Sequence, residues 1–167
     1  GIGVEEDKVK ALKWYVKAAE QGVVEAQYFL ADAYFNGLDV KVDKNKAFKW
    51  YLKAAEQNHA DAQLKSADCY YYGIGVRQNY TKAVEWYRKA AEHGIAEAQY
   101  GLGNCYFKGH GVEPDYANAV EWFVKAEEQS DVNSQNYLGI CYLHGYGVEQ
   151  DYVKAAEYFT KASERNH

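Results

Sequence analysis

Apolar and polar positions recur along this chain with a period of 36 residues, without insertion or deletion. Positions that correspond in successive periods are called slots below. One slot holds Trp14, Trp50, Trp86 and Trp122, with Tyr158 in the fifth period. The next holds Tyr15, Tyr51, Tyr87, Phe123 and Phe159, and a third holds Ala18, Ala54, Ala90, Ala126 and Ala162. A fixed period of this kind predicts a stack of similar units rather than a closed globule around one pocket.

Each period reads as two helices. In residues 24–36, small and apolar side chains follow helical spacing, and Gly37 stands where a left-handed residue ends a helix. A second helix starts near Asp43, a good N-cap, and carries an apolar stripe that includes Trp50 and Tyr51. We expect both aromatic slots of this stripe to be core. The pattern predicts an all-α fold with helices at 7–20, 24–36, 43–57, 60–72, 79–93, 96–108, 115–129, 132–144 and 151–165.

The repeats predict one domain over residues 1–167. It consists of an orphan helix at 7–20 and four repeats at 22–57, 58–93, 94–129 and 130–165. Neither end shows an obvious polar cap. Tyr158 and Phe159 would be partly bare unless more chain or a partner covers them, which would allow an end-to-end contact; the oligomeric state stays open.

The net charge of −5 leaves the chain without a surplus of basic residues, so nucleic acid is not an expected partner. Residues 109–167 hold four basic and ten acidic side chains, so the acidic surplus lies at the C-terminal end. No apolar run has the length of a membrane span, and direct membrane insertion is not expected. A reducing, cytoplasmic compartment is slightly favoured, while a signal before residue 1 would allow a secreted or periplasmic protein.

The residues that could carry chemistry do not assemble into a recognisable set. Cys69, Cys105 and Cys141 share one slot, and equivalent helices lie about 8–10 Å apart or more. Disulfide Cα atoms need less than about 7 Å, so we interpret the cysteines as small core residues. The histidines match no zinc-ligand spacing, and no nucleophile, base and orienting group come together. We therefore expect no metal, no cofactor and no enzymatic activity.

The run from Glu97-Ala98-Gln99-Tyr100-Gly101-Leu102-Gly103 to Trp122-Phe123 closely resembles the Sel-1-like repeat family, relatives of the tetratricopeptide repeats. The resemblance covers essentially the whole chain. It implies a right-handed α/α superhelical solenoid that acts as an adaptor or scaffold for a protein or an extended peptide. Some bacterial relatives resemble toxin-neutralising or host-interaction modules, and a hydrolase has been proposed for certain secreted ones. Cysteine-rich secreted members pair two cysteines per repeat, whereas this chain has at most one.

By similarity to the tetratricopeptide relatives, the first helix of each repeat would line the concave side. The candidate partner-binding residues on that face are Tyr28, Asp32, Phe35, Asp68, Tyr71, Tyr72, Tyr100, Asn104, Phe107 and Lys108. Six of the 17 tyrosines fall outside recurring slots, and four of these six lie on this face. Tyrosine is a favoured anchor in protein interfaces. The alternative is that these rings only pack between neighbouring first helices.

Overall fold

The structure is a computed structural model that describes residues 12–165, and this part of the chain is helical without any strand. The first helix, α1, is described over residues 12–20. The others are α2 Val24–Asn36, α3 Lys44–Glu56, α4 Ala60–Tyr72, α5 Tyr80–Glu92, α6 Ala96–Lys108, α7 Tyr116–Glu127, α8 Val132–His144 and α9 Tyr152–Glu164. The all-α repeat prediction is confirmed. The predicted start of the first helix at residue 7 lies outside the described residues.

The helix ends follow from specific residues. The first helices of the repeats, α2, α4, α6 and α8, end at their predicted positions, because a left-handed glycine follows each one. After α6, for example, Gly109 has φ 70° and donates its amide to the carbonyl of Cys105. The second helices begin one residue later than predicted. In α3, α7 and α9 an aspartate lies just before the helix as its N-cap; Asp115, for example, accepts a hydrogen bond from the Asn118 amide at 2.9 Å.

The chain divides into two compact units, with the boundary between Asn79 and Tyr80. In the first unit, α2 packs against α3 and α3 against α4. In the second unit, α5 to α9 pack in sequence, each against the next. The prediction of a single domain over residues 1–167 stays a prediction.

Buried glutamines join the helices of consecutive repeats. Gln27 in α2 donates its side-chain amide to the carbonyl of Ala19 in α1 at 3.1 Å. Gln99, in the same slot of α6, donates to the carbonyl of Ala91 in α5 at 3.4 Å. Because the last carbonyls of a helix have no partner within it, each bond satisfies a buried acceptor while fixing the next helix in place.

The two aromatic slots of the second helices behave differently, and the expectation that both are core is wrong for the tryptophans. Phe123 is fully buried, whereas Trp122, one residue earlier, is half-buried. The Nζ of Lys125 lies 3.9 Å from the centroid of the Trp122 ring. Adjacent helix positions point about 100° apart, so only one of the two rings can face the neighbouring helix. The other lies at the edge, where a lysine covers it.

The loop after each first helix from α4 onward approaches the preceding second helix closely. Gly111 has φ +77°, and a Cβ built on it would overlap the carbonyl of Tyr80, at the start of α5. Gly147 stands in the same relation to Tyr116, at the start of α7. The second glycine of these loops is therefore required by both its backbone conformation and the space available.

The three cysteines are buried, as the sequence predicts. Cys69 lies in the first unit, and Cys105 and Cys141 lie in the second. Burial raises the pKa of Cys69 and of Cys105 to about 12, and that of Cys141 to about 11.

Candidate functional site

In the first unit, the candidate rings of α2 flank a buried tyrosine of α3. The centroids of the Tyr28 and Phe35 rings lie 5.8 and 6.0 Å from that of Tyr51, respectively. Tyr28 also stacks on His59 at 4.6 Å. Burial, followed by the nearby carboxylates of Asp32 and Asp61, raises the pKa of Tyr28 to about 12. Both candidate rings remain half-buried, so part of each also packs within the unit.

Asp32 has a structural role that sequence reasoning did not assign. It accepts a hydrogen bond from the hydroxyl of Tyr51, which is 1% exposed. Burial and this hydrogen bond raise the pKa of Tyr51 far above its usual value. Two repeats later, Phe123 stands in the slot of Tyr51, and Asn104 stands in the slot of Asp32. A phenylalanine has no hydroxyl to donate, so no carboxylate is needed to accept a hydrogen bond there. The carboxylate of Asp32 therefore satisfies a buried donor.

The candidates on α4 differ in exposure. Tyr71 is 8% exposed and packs edge to face against Tyr72 at 4.9 Å, whereas Tyr72 is 65% exposed. The backbone carbonyl of Tyr71 accepts a hydrogen bond from Gln78 at 2.7 Å. Asp68 is half-buried, and its negative charge adds to the effect of burial in raising the pKa of Cys69. Tyr72 is thus the candidate that this helix presents to solvent.

In the second unit, the candidate rings belong to a larger set, here called the aromatic cluster: Tyr100, Phe107, Tyr116, Phe123, Tyr137 and Tyr146. Phe123 of α7 forms its buried base. The centroid of Tyr137, on α8, lies 5.0 Å from that of Phe123, 5.3 Å from that of Phe107 and 5.8 Å from that of Tyr100. Rings of two first helices therefore meet over one second helix, within one unit.

The exposed edge of the aromatic cluster is a stacked pair of tyrosines. Tyr116 and Tyr146 lie 4.9 Å apart with 20° between their planes, and they are 41% and 37% exposed. Phe107 packs against both, at 5.2 and 5.9 Å. The ring of His144 lies 5.3 Å from that of Tyr146. Each exposed ring is therefore held in place by a neighbouring ring.

Two further candidates lie on α6. Asn104 is 8% exposed and lies within the unit, one residue before the buried Cys105. Lys108, the last residue of α6, is exposed. Of this pair, Lys108 can reach a partner without rearrangement.

Sequence reasoning missed Tyr116, Tyr137 and Tyr146. Tyr137 and Tyr146 are the two tyrosines outside recurring slots that do not lie on the predicted face, so that signal was available. Tyr116 gave none, because tyrosine recurs in its slot. Its role depends on the loop residue that reaches it: His110 stacks on Tyr80 in one repeat, and Tyr146 stacks on Tyr116 in the next.

Comparison with known proteins gives the family. The model of the Sel1 repeat matches residues 1–23, 24–59, 60–95, 96–131 and 132–167. The chain belongs to the Sel1 repeat family. Sel1 repeat proteins are generally protein–protein interaction scaffolds and are typically not enzymes. No curated protein sequence matches this chain.

Several solved structures are similar to this chain. A protective antigen present in uropathogenic Escherichia coli strains is 40% identical over 93% of this chain, with a TM-score of 0.87. A Sel1 repeat protein from Oxalobacter formigenes is 39% identical over 92% of the chain, with a TM-score of 0.86. Helicobacter pylori cysteine rich protein B is 27% identical over 81% of the chain, with a TM-score of 0.61. The match covers 33%, 63% and 97% of those proteins, respectively.

The potential metal ligands of the described residues are dispersed, and the thiols are buried. Within residues 12–165, no three histidine, cysteine or acidic side chains come together as metal ligands. Nucleophilic cysteines have lowered pKa values, whereas burial raises the pKa of all three thiols here. None of the helices in that range has the length and apolar character needed to cross a bilayer.

Proposed function

We propose that this Sel1 repeat chain is a non-enzymatic scaffold that binds a protein or an extended peptide through exposed side chains of its first helices and of the loop and helix start beside them. The aromatic cluster of the second unit is the principal contact, and Tyr72 is the contact on α4. The observation that carries the proposal is the Tyr116–Tyr146 pair, which is exposed yet fixed in place by stacking. Exposed tyrosines that are already ordered are suited to act as anchors in a protein interface.

The energetics support this choice of surface. Tyrosine brings an apolar ring and a hydroxyl to an interface and loses little conformational entropy on binding. The rings of Tyr116 and Tyr146 are already held by each other and by Phe107, which reduces that loss further. Lys108, exposed at the end of α6, would favour an acidic neighbour on the partner and set its register more than its affinity.

Photo-crosslinking tests this assignment directly. A photoreactive phenylalanine replaces Tyr146 in one variant and Glu121, an exposed residue of α7, in the control. Both proteins are irradiated in extract from the source organism, and the adducts are identified by mass spectrometry. We expect one protein to be crosslinked from position 146 and not from position 121. Adducts formed equally from both positions, or from position 121 alone, would contradict the proposed surface.

A host-contact role is the second candidate. It is supported by the 40% identity to the protective antigen of uropathogenic Escherichia coli, which is a much longer chain. The same crosslinking variants distinguish the roles when they are exposed to secreted and surface proteins of a host. An adduct from position 146 with a host protein would favour host contact, and an adduct only with a protein of the organism itself would favour the internal scaffold.

A further inference from the structure

Helix α3, in the first unit, carries a set of lysines around a tryptophan. Lys46, Lys49 and Lys53 of α3 follow the spacing i, i+3, i+7, so they share one side of the helix, and all three are exposed. Trp50 lies between them and is half-buried. These four residues are called the α3 lysine face. Together the three ammonium groups span roughly 10 Å along the helix axis.

Two of these ammonium groups are held by aromatic rings. The Nζ of Lys53 lies 4.1 Å from the Trp50 ring centroid, and the Nζ of Lys46 lies 5.3 Å from that of Tyr34. Lys46 also forms an ion pair with Asp43, at 3.5 Å. Among the residues that the structure describes, Lys49 forms no ion pair. The α3 lysine face therefore keeps an excess of positive charge. The ammonium groups of Lys46 and Lys53 are partly ordered by the rings before any ligand binds.

A cleft lies within this face. It is an open groove of about 370 Å³ whose walls all belong to α3. It is lined by Lys46, Lys49, Trp50, Leu52, Lys53 and Glu56. Trp50 and Leu52 give it an apolar wall, while lysines supply most of the charge at its rim. A ligand that fits must combine an apolar group with negative charge.

The repeats show that the helix does not require this charge. The slot of Lys49 holds glutamate in every later repeat, at Glu85, Glu121 and Glu157. Like charges three and four positions apart repel, so lysine at position 49 weakens α3 where glutamate would pair with its neighbours. In the first unit, α1 repeats the pattern with Lys13, Trp14 and Lys17.

We propose that the α3 lysine face binds an acidic segment of a partner protein. Carboxylates of that segment would pair with Lys49 and Lys46, and an apolar side chain would enter the cleft against Trp50 and Leu52. Charge complementarity selects the acidic partner. The apolar wall favours a protein segment over a nucleic acid or a sulfated glycan, because those backbones bring high charge density without an apolar anchor.

A labelled peptide tests the proposal with the full chain. The probe is a fluorescein-labelled peptide of about twelve residues, enough to span the face, with glutamates spaced as on a helix and one central leucine. Its affinity is measured by fluorescence anisotropy at about 50 and about 300 mM salt, since pairing of exposed charges weakens with ionic strength. A second peptide with serine in place of the leucine tests the apolar wall.

Two charge reversals distinguish binding by the α3 lysine face from a general effect of net charge. Lys49→Glu installs the residue that the later repeats carry, so the fold should be retained. Lys125→Glu makes the same charge change on α7. We expect Lys49→Glu to weaken binding about tenfold or more and Lys125→Glu to leave it unchanged within about twofold. We also expect the serine peptide to bind more weakly than the leucine peptide.

Four results would overturn the proposal. Equal losses in the two variants would show that only net charge matters. Unchanged peptide binding by Lys49→Glu would show that the α3 lysine face is not the binding site. The absence of peptide binding by the wild-type chain at low salt would show the same. Tighter binding of heparin or duplex DNA than of the peptide, lost in Lys49→Glu, would assign the face to another class of ligand.

Discussion

Replacing Gly111 by alanine should destabilise the second unit well beyond the cost of its backbone conformation. Gly111 has φ +77°, a left-handed conformation that costs an alanine roughly 1–2 kcal/mol. The added Cβ would also overlap the carbonyl of Tyr80 and lie 2.6 Å from the amide nitrogen of Thr81. These are backbone atoms at the start of α5, so relief requires a shift of the loop or the helix. Such overpacking adds about 1–3 kcal/mol.

Gly94 provides the matched control within the same unit. Its φ is +84°, but a Cβ built on it meets no atom within 4 Å. Gly94→Ala therefore incurs the backbone cost alone, about 1–2 kcal/mol. The difference between the two variants measures the close approach of the loop to the preceding repeat, and we expect about 1–3 kcal/mol.

Urea denaturation followed by far-ultraviolet circular dichroism gives the midpoints, and hydrogen exchange of the α5 and α6 amides reports on the second unit itself. The account requires a lower midpoint and faster exchange in Gly111→Ala than in Gly94→Ala. Equal midpoints and equal exchange would refute the reasoning, because the loop would then accept a side chain without disturbing α5.

Three further predictions follow from burial, capping and thiol environment. Phe123→Ala should destabilise by about 3–5 kcal/mol, and Trp122→Ala, which removes an edge ring covered by a lysine, by only about 1–2, as compared by urea midpoints. Asp115→Ala should lower the midpoint at neutral pH. The hydrogen bond from the Asn118 amide, chiefly, lowers the pKa of Asp115, so its contribution is present above the unfolded pKa and fades as pH falls below about 4; a pH series of midpoints checks this. The cysteines should react with a thiol reagent at pH 8 only after unfolding, since burial raises their pKa values.

The fold could be predicted because each local signal repeats. The glycine after a first helix and the aspartate before a second one act through the backbone next to them, so their effect is visible in sequence. The partial exposure of Trp122 could not be predicted in the same way. Its slot falls on the apolar stripe, and only the position of the neighbouring helix decides that Phe123 faces inward.

The candidate surface could be predicted only in part. Unusual tyrosines pointed to Tyr100 and, on α4, to Tyr72, because they depart from the repeat. The stack of Tyr146 on Tyr116 joins residues 30 positions apart, one at a helix start and one in a loop. Asp32 stood out as a charged residue on that face, but its hydrogen bond to Tyr51 depends on how two helices pack. Contacts of this kind arise from packing between helices and leave no local pattern.

The central claim is that the aromatic cluster of the second unit holds a partner protein, and an affinity comparison tests it most directly. The partner identified by crosslinking is titrated against the wild-type chain, Tyr146→Ala and the control Glu121→Ala, with helical content checked by circular dichroism. We predict a loss of about thirtyfold or more for Tyr146→Ala, as for a central aromatic anchor worth about 2 kcal/mol, and little change for Glu121→Ala. Full affinity in a normally folded Tyr146→Ala, whatever the result for Glu121→Ala, would contradict the claim.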